Sequence, residues 1–399
     1  MNSATPYCYS YSSSEKRYTV GFFNGAEWHE LYDTNSKKDA IELISFLNGG
    51  QRPHWFREPP VDAKSENKQQ SWPFSTVLSW PTAIGWLGEV LCSPPIAVIS
   101  FNRPDYLRQL LASLAAQQPA IEPRRMHLFQ DGTVNRYSSI RYAEDADIAA
   151  SLALFRDFFP QGHVHASPDN IGITENILRA EKFFFEELRA PVGYFFEDDL
   201  ALSPHYVAAL DLMRRGFARF DRIVYYNANG EHRASLEQQR TNARKLVFMG
   251  HFWGFALKRS HWLRLQSFLA NYYRLVTGRD ERICPREEVR ALFRSWGKSQ
   301  THRYTLHDAA KDFATHLMGR WRASCYPAFG RYIGARGVHF TPDLFRECGF
   351  DETTIYPKPL GKLDLHRQEV ERMIDESLAE RSRHFTKVYA DQIAAQGRA

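Results

Sequence analysis

One stretch of this sequence, residues 192–204, places the strongest limit on how the chain can fold. Residues 192–196 are apolar or aromatic apart from one glycine, a pattern typical of a buried β-strand, and they run directly into Glu197, Asp198 and Asp199. Ser203 and Pro204 then precede apolar residues at helical spacing. Adjacent carboxylates repel one another, so we expect a divalent cation or a positively charged side chain among them. A solvated acidic turn without chemistry is the alternative.

Two further buried strands with polar ends precede this stretch. Residues 96–101 form an apolar run followed by Arg103, and Pro104 suits the start of the next helix because it has no N–H to leave unpaired. Residues 126–129 form a second run, which ends at Asp131. Strands that alternate with helices in this way predict an α/β fold with a mainly parallel sheet. The carboxyl ends of parallel strands share one edge, so Arg103, Asp131 and the acids at 197–199 should lie near one another.

The 399 residues, 43% of them hydrophobic, are enough for two or three domains. Residues 1–75 predict a small N-terminal accessory domain and its linker: an α+β unit over about 1–50, with a strand at 18–23 and a helix at 38–47, and a linker over about 51–75 rich in Pro, Lys, Gln and Glu. We expect the main α/β domain at residues 90–360 and a charged helical tail at 361–399. Within the main domain, the spacing of apolar residues also predicts helices at 174–188, 260–273 and 307–318.

Charge and cysteine content limit the class of protein. The net charge of +5 is spread along the chain, which suits an anionic ligand such as a nucleotide but does not indicate nucleic-acid binding. The five cysteines are widely separated and include no C-x-x-C pair, which argues against a disulfide framework or a zinc cluster. No apolar run reaches about 18 residues, and the start of the chain does not resemble a signal peptide, so we expect a cytoplasmic protein without a transmembrane segment.

Common nucleotide-binding and nucleophile motifs are absent from the sequence. It contains no GxxxxGK motif of P-loop proteins, no GxGxxG after the first strand of the main domain, and no GxSxG motif. A nucleotide site without a glycine-rich phosphate loop needs another source of positive charge for a diphosphate. A metal ion held by the acids at 197–199 would supply that charge.

The order of motifs between residues 95 and 345 resembles that of nucleotide-sugar glycosyltransferases of GT-A fold, and most closely that of the N-acetylglucosaminyltransferase I family. The acidic residues 197–199, followed by Leu200 and then Ser203-Pro204, resemble the metal-binding DxD-type motif of these enzymes. The other matching segments, in chain order, are Arg103, Gln130-Asp131, residues 227–230, residues 250–254, Asp312 and Gly337-Val338-His339. The resemblance implies a hexosyl- or N-acetylhexosaminyltransferase that moves a sugar, with GlcNAc as one candidate, from a UDP-sugar to a hydroxyl of a glycan or protein.

The resemblance also implies a role for each matching residue. Asp131 would contact the uracil ring, and Arg103 and Asp198 would belong to the nucleotide site. Glu197 would face the ribose, and Asp199 would ligate a Mn²⁺ or Mg²⁺ ion that bridges the diphosphate. A positioned base typically contributes about 10²–10⁴-fold to such a reaction.

Asp312 is the residue that the resemblance implies as the general base for an inverting attack by the acceptor hydroxyl. Asp308, one helical turn earlier, is the alternative base. The sequence departs from the family beside this position, where Lys311 replaces an aromatic residue. This departure leaves the acceptor open.

Two other classes of protein remain as alternatives. A nucleotidyltransferase also places paired acids near a metal and a nucleotide, but it usually has a glycine-rich basic loop after the first strand, which residues 101–104 lack. A non-catalytic module that binds a nucleotide-sugar or a glycan would have no role for Asp312. Hydrolysis of a UDP-sugar that is lost when Asp199 is replaced would separate these classes.

Overall fold

The structure is a computed structural model that describes residues 7–12, 16–24, 27–47, 88–297, 306–336 and 341–396. The chain divides into two compact units, residues 1–88 and 89–399. The linker predicted at residues 51–75 and the Gly337-Val338-His339 motif lie outside the described residues. The predicted boundaries at 75, 90 and 360 therefore stay predictions.

The first unit contains a small antiparallel sheet and one helix. Its strands, in the order β1-β2-β3, are β1 (Tyr7–Ser12), β2 (Arg17–Asn24) and β3 (Glu27–Thr34), and helix α1 (Lys37–Leu47) follows them. Val20 of the sheet is buried, as are Ala40 and Ile44 of the helix, so apolar residues from both elements form its interior. The predicted small α+β unit is confirmed.

The second unit alternates strands and helices along most of its length. Its strands are β4 (Ile96–Ser100), β5 (Met126–Gln130), β6 (His163–Ala166), β7 (Val192–Glu197), β8 (Leu200–Leu202), β9 (Ile223–Asn227), β10 (Leu246–Phe248), β11 (Phe255–Lys258), β12 (Trp321–Cys325) and β13 (Gly330–Tyr332). Its helices are α2 (Pro104–Ala115), α3 (Asp145–Phe158), α4 (Gly172–Lys182), α5 (Tyr206–Phe217), α6 (Leu236–Thr241), α7 (Arg259–Phe268), α8 (Ala270–Val276), α9 (Arg286–Ser295), α10 (His307–Leu317), α11 (Pro342–Glu347) and α12 (Arg367–Gln396).

An eight-stranded sheet in the order β10-β12-β9-β11-β7-β4-β5-β6 forms the centre of this unit. Strands β4, β5, β6, β7, β9 and β12 run in one direction, and only β10 and β11 oppose them. The predicted α/β fold with a mainly parallel sheet and a C-terminal helix is confirmed. Among the described residues, no helix combines the length and the apolar composition that crossing a membrane requires.

Helices cover both faces of this sheet because neighbouring residues of its buried strands point to opposite sides. Val98 and Phe196 pack with α2, α5 and the start of α12. Ile99 and Phe195 pack with α4, α7 and α10 on the other face. Because each of these strands is buried on both faces, the runs at 96–101 and 192–196 are apolar at nearly every position. The polar residues that follow the runs lie at the edge of the sheet.

The neighbouring parallel strands β7, β4 and β5 bring three polar loops to one edge, as predicted. Two local features differ from the sequence predictions. The helix expected at 260–273 is divided into α7 and α8 at Leu269, and residues 200–202, where the sequence predicts no strand, form strand β8. Strand β8 exists because β13 pairs with it, with Leu200 opposite Tyr332, and local sequence gives no sign of a partner so distant in the chain.

Candidate functional site

The acidic residues 197–199 form the centre of the candidate site, at the end of β7. Glu197 is the last residue of that strand, and Asp198 and Asp199 form the turn into β8. Asp198 is 2% exposed and Asp199 is 3% exposed. A buried carboxylate is costly unless it is paired or hydrogen-bonded, so partners for these groups are to be expected.

Arg103 is the positively charged partner of the two aspartates. Its side chain makes an ion pair with Asp198 through Nη2 and Oδ1, and its Nε donates to Asp198 Oδ2 at 3.4 Å. The same Nη2 lies 3.0 Å from Asp199 Oδ2. Arg103 reaches this position because it directly precedes α2, whose first residue is Pro104. The sequence predicted that these residues share an edge, and the structure places them in direct contact.

One guanidinium does not balance three carboxylates. Burial raises the pKa of Glu197 well above its ordinary value, and the charges of Asp199 and Asp308 raise it further. Burial also raises the pKa of Asp198 to about 7, although Arg103 opposes this shift. The site therefore favours an additional positive charge.

Asp199 has one carboxylate oxygen that is occupied and one that is not. Oδ2 faces Arg103, and the hydroxyl of Tyr332 also donates a hydrogen bond to this carboxylate. Oδ1 is buried and has no hydrogen-bond partner within the part of the chain that the structure describes. A buried acceptor without a partner is uncommon, and a carboxylate oxygen is a ligand that Mn²⁺ and Mg²⁺ accept.

No group of three or more His, Cys, Asp or Glu residues suited to a metal ion occurs among the described residues. Mg²⁺ in nucleotide sites is usually held by one or two carboxylates together with phosphate oxygens and water, rather than by a cage of protein ligands. The single open oxygen of Asp199 fits that kind of site. It does not fit a site in which the protein alone holds the metal.

Asp131 lies on the same edge but is engaged by its own chain. Oδ1 accepts hydrogen bonds from the N–H groups of Gly132 at 3.0 Å and Ile171 at 2.8 Å. Oδ2 accepts from Asn170 Nδ2 at 2.8 Å and from the N–H of Gly172 at 3.1 Å. Because α4 begins at Gly172, the carboxylate caps the unpaired N–H groups at the start of that helix. Contact between Asp131 and a nucleotide stays a prediction.

The two candidate bases on α10 have different surroundings. Asp312 accepts from Arg381 of α12 at 2.9 and 2.8 Å and lies 2.7 Å from Arg322 Nη2, so two guanidinium groups occupy its carboxylate oxygens. Asp308, one turn earlier, lies close enough to raise the pKa of both Glu197 and Glu281. The structure thus brings Asp308, rather than Asp312, into the electrostatic neighbourhood of the acidic residues.

The contacts of three residues in this region have no signal in the local sequence. Tyr332 lies in a short strand without periodicity. Glu281 is half-buried, and its carboxylate accepts from the N–H of Thr174 at 3.1 Å. Lys311, where the sequence departs from the family beside Asp312, makes a buried ion pair with Glu181 at 2.5 Å. Only long-range packing identifies these residues.

The segments at 227–230 and 250–254 contact each other beside the site. Asn227 Nδ2 donates to the carbonyl of His251 at 3.0 Å, and Asn229 Nδ2 donates to that of Trp253 at 2.5 Å. Gly254 has a φ of +54°, and a Cβ there would lie 2.7 Å from the hydroxyl oxygen of Tyr206, so glycine is required on both grounds. These two segments together line one side of the candidate site.

Comparison with solved structures returns glycosyltransferases at low similarity. An active-site mutant of LgtC has 13% identity and a TM-score of 0.30, over 66% of this chain and 98% of its own. The galactosyltransferase LgtC with donor and acceptor sugar analogs gives 12% identity, a TM-score of 0.30 and the same coverage. WbbM, a bifunctional glycosyltransferase in its apo form, has 8% identity and a TM-score of 0.26, over 47% of this chain and 35% of its own.

No family model and no curated protein matches this chain. The TM-scores are too low to define the fold or the activity. Membership of the N-acetylglucosaminyltransferase I family therefore stays a prediction from the motifs.

Proposed function

We propose that this protein is a metal-dependent, inverting glycosyltransferase of GT-A type that moves a sugar from a UDP-sugar to a hydroxyl of a glycan or protein. The observation that carries the proposal is the acidic group at the carboxyl end of β7, where the guanidinium of Arg103 pairs with Asp198 and Asp199 and where Asp199 Oδ1 has no partner among the described residues. Ligands bind at the carboxyl ends of strands in open α/β sheets. A nucleotide diphosphate with its divalent cation fits an acidic site at that position.

Each residue of the acidic group has a separate role in this proposal. Asp198 holds the guanidinium of Arg103 in the nucleotide site, and Glu197, at the strand end, faces the ribose. Asp199 Oδ1 would hold the cation, whose positive charge would stabilise a departing diphosphate.

The base that deprotonates the acceptor hydroxyl is, in this proposal, Asp308. Its proximity to Glu197 supports this choice, because the base must reach the sugar that the nucleotide site presents. Asp312, the base implied by the resemblance, is instead engaged by Arg322 and Arg381. One carboxylate is sufficient for an inverting transfer because the diphosphate is already a good leaving group.

The test is release of nucleotide from a panel of UDP-, GDP-, CMP- and dTDP-sugars, with and without Mn²⁺. We expect release from a UDP-sugar that requires Mn²⁺ and is lost in Asp199→Ala. Asp343→Ala is the matched control, because Asp343 is an exposed aspartate on α11 that pairs only locally with Arg346. Binding of a UDP-sugar without release or transfer to any acceptor would instead favour a non-catalytic binding module.

A further inference from the structure

Tyr332 is held against the acidic residues by strand pairing. Strands β13 and β8 are antiparallel, and their register places Tyr332 opposite Leu200, the residue after Asp199. The backbone N–H of Ile333 donates to the carbonyl of Asp199 at 2.9 Å, which joins the two segments at the next position. The phenol therefore approaches Asp199 from a fixed direction.

An aromatic stack immobilises the Tyr332 ring. The ring lies 4.0 Å from that of Trp253, with 6° between their planes, and His251 stacks on the opposite face of Trp253 at 4.1 Å. Phe350 contacts Tyr332 edge-on at 5.5 Å. The Tyr332 side chain is buried, and these ring contacts restrict its movement.

The backbone beside this contact leaves no room for a side chain. A Cβ at Gly334 would lie 2.7 Å from Asp199 Oδ2 and closer still to the hydroxyl oxygen of Tyr332. Real Cβ atoms are not found at such distances, so only glycine allows the hydroxyl and the carboxylate to meet.

We propose that Tyr332 is a positioning residue: it holds Oδ2 of Asp199 together with Arg103, and thereby directs Oδ1 towards the divalent cation of the nucleotide site. The inference rests on the proposed function. Ligating carboxylates are themselves commonly hydrogen-bonded, and loss of such a partner typically lowers metal affinity about 10–100-fold. Without the hydroxyl, Asp199 can rotate about its Cα–Cβ and Cβ–Cγ bonds and turn Oδ1 away.

The experiment measures Mn²⁺ affinity by titration calorimetry on the full chain in the presence of UDP. Tyr332→Phe keeps the ring and its stack but removes the hydroxyl, and we expect its Mn²⁺ affinity to fall at least about 10-fold. Tyr356→Phe is the matched control, because Tyr356 has the same 8% exposure as Tyr332 and packs edge-on against Phe329. The control should bind Mn²⁺ as the unaltered protein does.

Two further measurements separate positioning from general damage. Gly334→Ala keeps the hydroxyl but displaces it, so it should also weaken Mn²⁺ binding, and it serves if Tyr332→Phe does not fold. Binding of UDP without metal should be unchanged in both variants, which a collapse of the site would not permit.

The outcomes are distinguishable. If the unaltered protein binds Mn²⁺ with UDP and both variants bind Mn²⁺ with affinities within about 2-fold of it, the role of Tyr332 is refuted and the proposed function stands. Such a change is far below the one expected when a metal-ligating carboxylate loses its hydrogen-bond partner. If the unaltered protein binds no Mn²⁺ with UDP, the proposed metal dependence fails, and this inference fails with it.

Discussion

Breaking the buried ion pair between Lys311 and Glu181 should destabilise the second unit by several kcal/mol. Lys311 Nζ lies 2.5 Å from Glu181 Oε1, and the two side chains are 2% and 0% exposed. Lys311→Met removes the ammonium group and leaves a carboxylate without its cation and away from water, which typically costs about 3–5 kcal/mol. The indole N–H of Trp262 still donates to Glu181 Oε2 at 3.2 Å, so we expect the lower end, about 3 kcal/mol.

A double variant separates loss of the ion pair from loss of either side chain. Glu181→Gln keeps the size of the side chain and can still accept from Trp262. Combined with Lys311→Met, it removes both charges of the pair. Because neutral side chains of similar volume can replace a buried ion pair at little cost, the double variant should recover most of the lost stability. The coupling energy between the two sites should then be about 2 kcal/mol or more.

Urea denaturation followed by tryptophan fluorescence measures these free energies of unfolding. Arg346→Met is the matched control, because it breaks an ion pair whose side chains are 62% and 83% exposed, and it should change stability by no more than about 0.5 kcal/mol. Two results would refute the stabilising role of the ion pair: a loss of less than about 1 kcal/mol in Lys311→Met, or a double variant no more stable than Lys311→Met alone. In either case the pair would not hold α10 against α4.

Three other predictions follow from the site and the sheet. Asp308→Asn should lower the transfer rate about 10²-fold or more, whereas Asp312→Asn should affect stability more than rate. Steady-state kinetics and urea denaturation of both variants test this. The reverse result would restore Asp312 as the base. Asp131→Asn should cost about 1–3 kcal/mol, because an amide nitrogen would face N–H donors, and an unchanged urea midpoint would argue against the helix-capping role. Burial lowers the pKa of His127 to about 3, so below about pH 6.5 the unfolded chain takes up a proton there that the folded chain does not. His127 should therefore contribute up to about 1.4 kcal/mol per pH unit to the loss of stability on acidification, and His127→Phe should reduce that slope between about pH 6 and 5.

Local sequence predicted most of the fold. The runs at 96–101, 126–129 and 192–196 form β4, β5 and β7, and α2, α10 and α12 begin within a few residues of the predicted positions. These elements were predictable because their patterns are local: a strand buried on both faces is apolar throughout, and a helix repeats its apolar residues every three or four positions. Strand β8 was missed because three residues carry no periodic signal and the strand depends on pairing with β13.

The candidate site was less predictable than the fold. The acids at 197–199 and the shared edge with Arg103 followed from strand order, since parallel neighbours present their carboxyl ends together. The different surroundings of Asp308 and Asp312 did not follow. Both lie on one helix four residues apart, and packing against distant elements separates their surroundings: α12 brings Arg381 to Asp312, and β12 brings Arg322.

The sequence by itself determined that three acids follow a buried strand and need a positive partner, because both conclusions depend on neighbouring residues. The tertiary structure decided which groups meet them: Arg103 pairs with Asp198 across 95 positions of the chain, and Tyr332 reaches Asp199 through the pairing of β13 with β8. Such contacts depend on strand register and on the shape of packed side chains, which no local pattern encodes. The open oxygen of Asp199, on which the proposed function depends, is a product of that packing.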